Sequence, residues 1–398
     1  MTTQAVAGYP EQLIGTGMLE HRDRVDFTRL RAQRRERVFA AMARLDLDAI
    51  VLGREGNVRY AAGARRLWTA SARPFAPTCV LLRATGRVHL MTFSASVEGM
   101  PEEVGFEEVF CASFNPAVLA ARLAMIPGLA GARRIGFDSW SFGMRDLLTS
   151  IAPGAAFVPV EPELRALRRA KLPEEIAAIR IAVALGESAL AAAIARLVPG
   201  VREKRLQAAF LERMCNLGTS QYAQQGTFTA IGPNGGLRWI TGDGACPAGV
   251  PVAFAAGALW AGYEGSVART WWCGASPTPS TADRDTYRRW RRAMDAMLDA
   301  CRPGNTGKDI HDAHRDAGVP LPSFPIAYSV GLGHEGPIAG LAPDPRADAG
   351  QKLEAGMVVA LRAFVGAPAG GFLGEEIAVI HPDRTELLTR LGHGPLAA

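Results

Sequence analysis

The sequence predicts an α+β protein of two domains. A smaller α/β domain comes first, and a larger domain follows in which helices cover one face of a curved antiparallel sheet. Three observations carry this. The chain has 398 residues, more than one hydrophobic core usually supports. Its first part alternates short apolar runs with helical stretches, the pattern of an α/β layer. Its later part interleaves two pairs of helices with longer strand-like runs, organised around PVAFAAGALWAGYEGSVARTWW from Pro251 to Trp272. That stretch reads as an apolar strand, a tight glycine-containing turn and a second strand.

Residues 1–25 show no sustained periodicity and read as an N-terminal arm, ahead of a first domain over 26–160 and a second over 161–398. From Asp26 the pattern turns helical, with Leu30, Val38, Phe39, Met42 and Leu45 on related faces and arginines between them. The basic cluster Arg29, Arg31, Arg34, Arg35 and Arg37 on this helix reads as a solvated face. Ala49–Leu52 is a short buried strand. Thr78–Leu82 and Val88–Phe93, joined through Thr85-Gly86, read as a hairpin, and Ile135–Phe137 as a further strand.

The charged, alanine-rich stretch Glu161–Lys171, broken at Pro173, marks the domain junction. Pro173 then opens a long helix carrying Ile176, Ile179, Val183, Leu190, Ile194 and Leu197, stopped by Pro199-Gly200. A second helix is expected over about 202–216, extended segments over 221–267 and a third helix over about 283–300 before Pro303-Gly304. Thr306 with Asp309 three residues on predicts a capped fourth helix through Ala317. Val358–Phe364 and Ile377–Ile380 complete the strands.

Composition narrows the function classes. Hydrophobic content of 48% and charged content of 21% describe a globular chain. The net charge of +5 comes without basic runs interleaved with aromatics, so nucleic acid is not an expected partner. The six cysteines are scattered with no C-x-x-C spacing, which predicts reduced thiols in the cytoplasm rather than a structural zinc site. No basic-then-apolar leader and no apolar run of membrane-spanning length is evident, so no membrane association is expected.

Five blocks in order resemble the creatinase/methionine aminopeptidase ("pita-bread") superfamily. LRALRRAKLPEEIAAIRIAVALGESAL is similar to the helix that opens its catalytic domain, whose pattern is Arg-x-x-Lys-Ser-x-x-Glu-Ile. GTFTAIGPNGGLRW resembles the Gly-Pro-Asn segment, YSVGLGHEGP the His-Glu-x-Pro segment, LEAGMVVALRAF the Leu-Glu-Pro-Gly-Met block and GGFLGEEIAVI the final Glu-bearing strand. The stretch from Pro251 to Trp272 resembles the metal-binding hairpin, with Val252, Gly257, Ala258, Gly262, Tyr263, Arg269 and Thr270 in place. The resemblance implies a pita-bread domain preceded by a creatinase-type N-terminal domain, and a homodimer.

It also implies where a site would lie. Metal-using members hold two divalent ions with two Asp, one His and two Glu, which activate a bridging water. Those positions fall here on Ala255, Ser266, Tyr328, Arg362 and Glu375. With one carboxylate beside an arginine, no metal and no other cofactor is expected. Creatinase cleaves a C–N bond without metal through a His and two guanidinium-gripping carboxylates; those positions fall on Trp239, Ala268 and Arg362, so creatine is not expected as substrate.

The expected catalytic group is His334 with Glu335, an imidazole beside a carboxylate suited to proton transfer near neutral pH, together with Glu375. His334 reads equally as a residue kept by its Gly-rich loop. Arg362 either pairs with Glu375 as a structural ion pair or anchors a substrate carboxylate. Tyr328 and Ser266 offer hydroxyls to a ligand or to the backbone. Trp239 and Arg238 line a ligand wall or plug space, and Glu264 is a substrate contact or a solvated turn residue. Arg269 reads as a brace of the hairpin. Arg65, Arg66 and Trp68 are candidates for reaching a partner subunit's site, or exposed side chains. His311 and His314 read as isolated polar positions on an outer helix.

The expected function is thus metal-independent hydrolysis or elimination on a small, carboxylate-bearing molecule, with acid/base help at a C–N or related bond. The alternatives are a non-catalytic relative that binds a ligand or protein in the same cleft, and an Xaa-Pro aminopeptidase-type metallopeptidase.

Overall fold

The computed structural model describes residues 24–63, 79–92, 109–111, 116–139, 142–219, 221–333 and 335–397. The chain divides into two compact units with a boundary between Arg168 and Arg169, inside the charged stretch that ends the first domain's pattern. His334, Arg65, Arg66 and Trp68 lie outside the described residues.

The first unit contains α1 (Phe27–Arg44), β1 (Ala49–Leu52), α2 (Glu55–Ala62), β2 (Cys79–Leu82), β3 (Arg87–Thr92), β4 (Val109–Cys111), α3 (Pro116–Ala124), β5 (Arg134–Phe137), α4 (Phe142–Ile151), β6 (Ala156–Pro159) and α5 (Glu161–Arg169). Its six-stranded mixed sheet has the order β4-β3-β2-β1-β5-β6. Ala49, Val51, Val80, Leu82, Leu123 and Ile135 form its core. Asp26 caps α1 by accepting from the Arg29 amide at 2.9 Å. The expected solvated arginine face is corrected here. Arg31 and Arg34 are buried, and Arg35 donates to the carbonyls of Ala61 and Ala62, the last carbonyls of α2. Long arginine stems cover apolar surface while the head groups satisfy a helix end.

The second unit contains α6 (Pro173–Ile194), α7 (Glu203–Asn216), β7 (Tyr222–Ala230), β8 (Pro251–Trp260), β9 (Tyr263–Trp272), α8 (Thr281–Ala300), α9 (Gly307–Asp316), β10 (Ala327–Ser329), β11 (Ile338–Ala339), β12 (Val358–Ala367), β13 (Gly370–Ile380) and β14 (Thr385–Leu387). The strands form one antiparallel sheet in the order β11-β10-β12-β13-β9-β8-β7, with β14 on β13. The β8–β9 hairpin pairs without a break from Pro251↔Trp272 to Trp260↔Tyr263. Ala261 and Gly262 both take positive φ at its tip (51° and 84°), which matches a two-residue turn to the strand twist.

Helices pack on one face of this sheet. Gly265 lets α6 lie directly on β9, since a Cβ there would stand 2.1 Å from the Ala182 carbonyl carbon. Gly374 likewise admits the Trp290 ring of α8, fully buried on β13. Phe372, Ala378 and Ile380 join Trp290, Met294 and Met297 in the main core. The predicted cap of α9 is present, with Thr306 N and Oγ1 at 2.7 and 2.8 Å from Asp309 Oδ2. One expectation is corrected: by length and mean hydropathy α6 is apolar enough to cross a membrane. In the fold its apolar residues Ala178, Ile179, Ala182 and Val183 are buried, and it packs on the β8–β9 hairpin.

Candidate functional site

Strand alternation decides what the other face carries. Along β13, Phe372, Gly374, Glu376 and Ala378 look toward α8, so Leu373 and Glu375 look the opposite way. Register then places four residues in one row across the sheet: Ala255 opposite Ala268, Ala268 opposite Glu375, and Glu375 opposite Arg362. Ala255, Ala268 and Leu373, with Ala253, Ile231 and the partly buried Leu237, Phe324 and Phe364, make a small apolar floor beside the charged half of the row.

Glu375 is fully buried and its Oε2 is the hub of the charged half. It accepts from Arg362 Nε at 2.6 Å and from Tyr328 Oη at 3.0 Å, and Arg362 Nη2 stands 2.5 Å away. Arg362 Nη2 also donates to Tyr328 Oη at 3.3 Å. Three rings surround the guanidinium: Tyr328 at 5.5 Å, Phe324 at 5.7 Å and Trp239 at 5.9 Å from their centroids. Burial pushes the Tyr328 phenol well above its ordinary pKa, and the Glu375 charge adds to this. Glu375 Oε1, on the same carboxylate, has no hydrogen-bond partner among the described residues.

A second carboxyl stands nearby. Glu264 is the second residue of β9, where its amide reaches the Gly331 carbonyl at 3.2 Å. It is half-buried rather than a solvated turn charge. Ser266 Oγ donates to Glu264 Oε1 at 3.1 Å and receives Gln224 Nε2 at 2.9 Å. Burial raises the Glu264 pKa to about 7; the Ser266 hydrogen bond opposes that, Glu375 and Glu335 add to it, and Arg362 opposes it.

Other sequence candidates are committed elsewhere. Glu335 is buried against Lys171 (3.1 Å, both side chains 1% exposed) and accepts from Ser329 Oγ and the Leu332 amide. That arrangement folds the glycine-rich loop around a neutralised carboxylate. Arg238 is held by Glu203, which also accepts from the Ala230 and Gly242 amides. Trp239 is 40% exposed and meets Phe324 edge-on at 4.9 Å. Arg269 braces the hairpin to the far face, donating to the Glu375 and Leu391 carbonyls and to Glu376 Oε2. His311 and His314 are corrected: both are buried, and His311 Nδ1 lies 3.0 Å from Asp348 Oδ2. Burial pushes the His314 pKa down to about 4, with His311 adding to it.

Sequence reading missed Gln224, Phe324 and Lys171. Lys171 had a signal, since it is the lysine of the Arg-x-x-Lys pattern. Gln224 and Phe324 had none, because only the sheet register and a loop path bring them to the site. Among the described residues, no group of three or more His, Cys, Asp or Glu side chains gathers as a metal ion would require.

Comparison with known proteins agrees with this architecture. Residues 177–381, more than half of the chain, match metallopeptidase family M24, and residues 34–170 match the creatinase/prolidase N-terminal domain. The chain belongs to metallopeptidase family M24. An Xaa-Pro dipeptidase of Pyrococcus horikoshii is 23% identical over 287 residues, 71% of this chain and 75% of that protein. Another, from Pyrococcus furiosus, is 27% identical over 161 residues, 40% of this chain and 45% of that protein. Among solved structures, an Xaa-Pro dipeptidase from Bacillus anthracis superposes with a TM-score of 0.73 at 20% identity, covering 90% of this chain and 97% of that one. An X-Pro aminopeptidase from Thermotoga maritima gives 0.72 at 18% identity, covering 89% and 98%. These likenesses show the pita-bread fold with its creatinase-type first domain.

Proposed function

We propose that this M24 chain is a hydrolase that works without a dinuclear metal centre, on a small carboxylate-bearing molecule with an amide or related C–N bond. One observation carries the reading: the Arg362 guanidinium sits on Glu375, and the next two positions in the row are Ala268 and Ala255. The residues present do not fit two divalent cations. In that row Glu375 is the one carboxylate and a fixed cation already neutralises it, the nearby Glu264 is occupied by Ser266, and the arginine would repel a dication.

In this reading Arg362 offers Nη1 to a substrate carboxylate, and the apolar floor and Trp239 exclude water from the bound molecule. His334 is the proposed acid/base group. It takes a proton from the attacking water and returns one to the leaving nitrogen as the C–N bond breaks.

A second reading has one finding in its favour. The Pyrococcus relatives are named Xaa-Pro dipeptidases, which suggests metal-dependent cleavage of Xaa-Pro dipeptides. Metal analysis of protein purified with manganese or cobalt separates the two, combined with assays on Xaa-Pro dipeptides before and after chelation. The first reading expects no stoichiometric metal and no effect of chelator on whatever turnover is found. Two tightly bound ions per chain, with dipeptide cleavage abolished by chelation, would overturn it in favour of the second.

A further inference from the structure

We infer that the second domain carries a separate binding site at the C-terminal end of α9, for a small neutral molecule that joins an apolar body to a hydroxyl, as a phenol does: His314 meets the hydroxyl, and Val319, Leu321 and Leu341 enclose the body. Ile310 of α9 and Val319 belong to the core around Trp290, so the site lies on the helix side of the sheet, not among the row of cleft residues. It stands whether or not the cleft is catalytic.

A cavity of about 380 Å³ opens where the end of α9, residues 319–323 and residues 341–343 meet. That volume is at the small end of ligand sites, roughly 300–1,000 Å³, whose walls are mostly apolar with a few polar groups. His314 and Val319 are buried at its base, whereas Arg315 and Leu341 are exposed at its rim. Leu341 is 64% exposed, so a large apolar side chain stands in water beside the cavity. An apolar body seated there would cover it.

One polar group of the lining is unfinished. His314 is 1% exposed, and among the described residues its Nε2 has no hydrogen-bond partner. A buried polar atom left unpaired is costly, and a hydrogen bond from a ligand relieves that cost. The charged neighbours are already matched. His311 lies 3.0 Å from Asp348, whose oxygens also accept from the Gly340 amide and Gln351 Nε2. Arg315 pairs with Asp312 at 2.8 Å and Asp316 at 2.9 Å. The lining therefore favours neither an anion nor a cation. Among the described residues no group of three or more metal-capable side chains includes this histidine pair, so a metal ion is not the occupant. With its pKa pushed down to about 4, chiefly by burial, the His314 ring is neutral at pH 7. A nitrogen of a neutral imidazole gives or accepts a hydrogen bond according to tautomer, and a hydroxyl can answer either.

The test is calorimetric titration of the full chain at pH 7 with three probes: phenol; anisole, which keeps the ring and lacks the O–H; and benzoate, which is an anion. Phenol is expected to bind at least about tenfold tighter than either, the effect of one buried hydrogen bond. Leu341→Arg, at an exposed rim position, is expected to weaken phenol at least about tenfold by placing a long charged chain at the mouth. His314→Phe keeps a ring and removes the nitrogens, and is expected to bring phenol down to the level of anisole. Equal binding of phenol and anisole overturns the hydroxyl contact, and benzoate as tight as phenol overturns the neutral ligand. Undiminished phenol binding in Leu341→Arg overturns the location, and undiminished binding in folded His314→Phe overturns the role of His314. Should His314→Phe fail to fold, the anisole comparison and Leu341→Arg decide. No phenol binding at millimolar concentration overturns the site.

Discussion

Glu375 and Glu376 are neighbours on β13 and face opposite ways. Both are buried carboxylates beside an arginine, yet they are finished differently. Glu376 is saturated: Arg269 Nη2 and Thr389 Oγ1 meet Oε2, and His393 Nε2 meets Oε1 at 3.0 Å. Burial alone would raise its pKa, but the His393 hydrogen bond, Arg269 and Thr389 together hold it below the ordinary range. Glu375 has one full oxygen and one that, among the described residues, is empty. The difference teaches how to tell a brace from a site on the same strand. A buried carboxylate with both oxygens filled ties the sheet to its flanking segments, whereas one with an open oxygen keeps an acceptor for a further donor.

The largest way to break this comparison is to remove the arginine on the saturated side. Arg269→Met leaves Glu376 buried without its permanent cation and strips the Leu391 and Glu375 carbonyls of their donors. A loss of about 3–5 kcal/mol in urea unfolding is expected. A loss below about 1 kcal/mol would show that the network is not a brace.

The next test sets the neighbours against each other. Glu376→Gln must place an amide NH2 among donors that already surround it, while Glu375→Gln can turn its NH2 toward the empty side. Glu376→Gln is therefore expected to cost about 1–2 kcal/mol more than Glu375→Gln in the same unfolding experiment. Equal costs would remove the contrast between the faces.

The third test concerns pH. Glu264 has a folded-state pKa raised to about 7, so the folded chain binds the proton more tightly than the unfolded chain does. The stability this gives is fully present below the unfolded carboxyl range and is lost as pH rises through about 7. Glu264→Gln should remove about 2 kcal/mol of the fall in stability between pH 5 and pH 8, read as the urea midpoint at each pH. His314 runs in the opposite direction. Its pKa, lowered to about 4, adds stability near neutral pH that is lost as pH falls from about 6.5 through 4.

The smallest expected effect is at the cleft's edge. Trp239→Ala removes an exposed ring that touches Phe324 and caps Arg362. It should cost about 1 kcal/mol of stability or less, with its larger consequence in ligand binding at the cleft, measured by calorimetry. A loss as large as that of Arg269→Met would make Trp239 part of the core.

Much of the second domain was legible because its signals are local. The helix formed by Pro173, the cap at Thr306 and Asp309, and the glycine turn of the β8–β9 hairpin depend on residues within a few positions of each other. The motif order carried the fold for the same reason. The arginines of α1 and the two histidines of α9 misled, because their burial depends on what lies against the helix rather than on the helix itself. Glu264 misled in the same way: next to a turn it reads as solvated, and its partial burial comes with contacts to Ser266 and to the Gly331 carbonyl.

By itself, then, the sequence determined the two-domain pita-bread architecture, the frame of the hairpin from Pro251 to Trp272, and the identities Ala255, Ser266, Tyr328, Arg362 and Glu375 that define what chemistry its positions can offer. Tertiary structure alone decided how those identities combine. Register across four strands put Arg362 on Glu375 in one row with two alanines. The helix layer sent Glu376 to the braced face and left Glu375 with an empty oxygen. The physical reason is range. Helix starts, turns and strand alternation are set by neighbours in the chain, whereas charge pairing and burial are set by residues that meet only when the sheet closes, from 13 positions apart for Arg362 and Glu375 to 164 for Lys171 and Glu335.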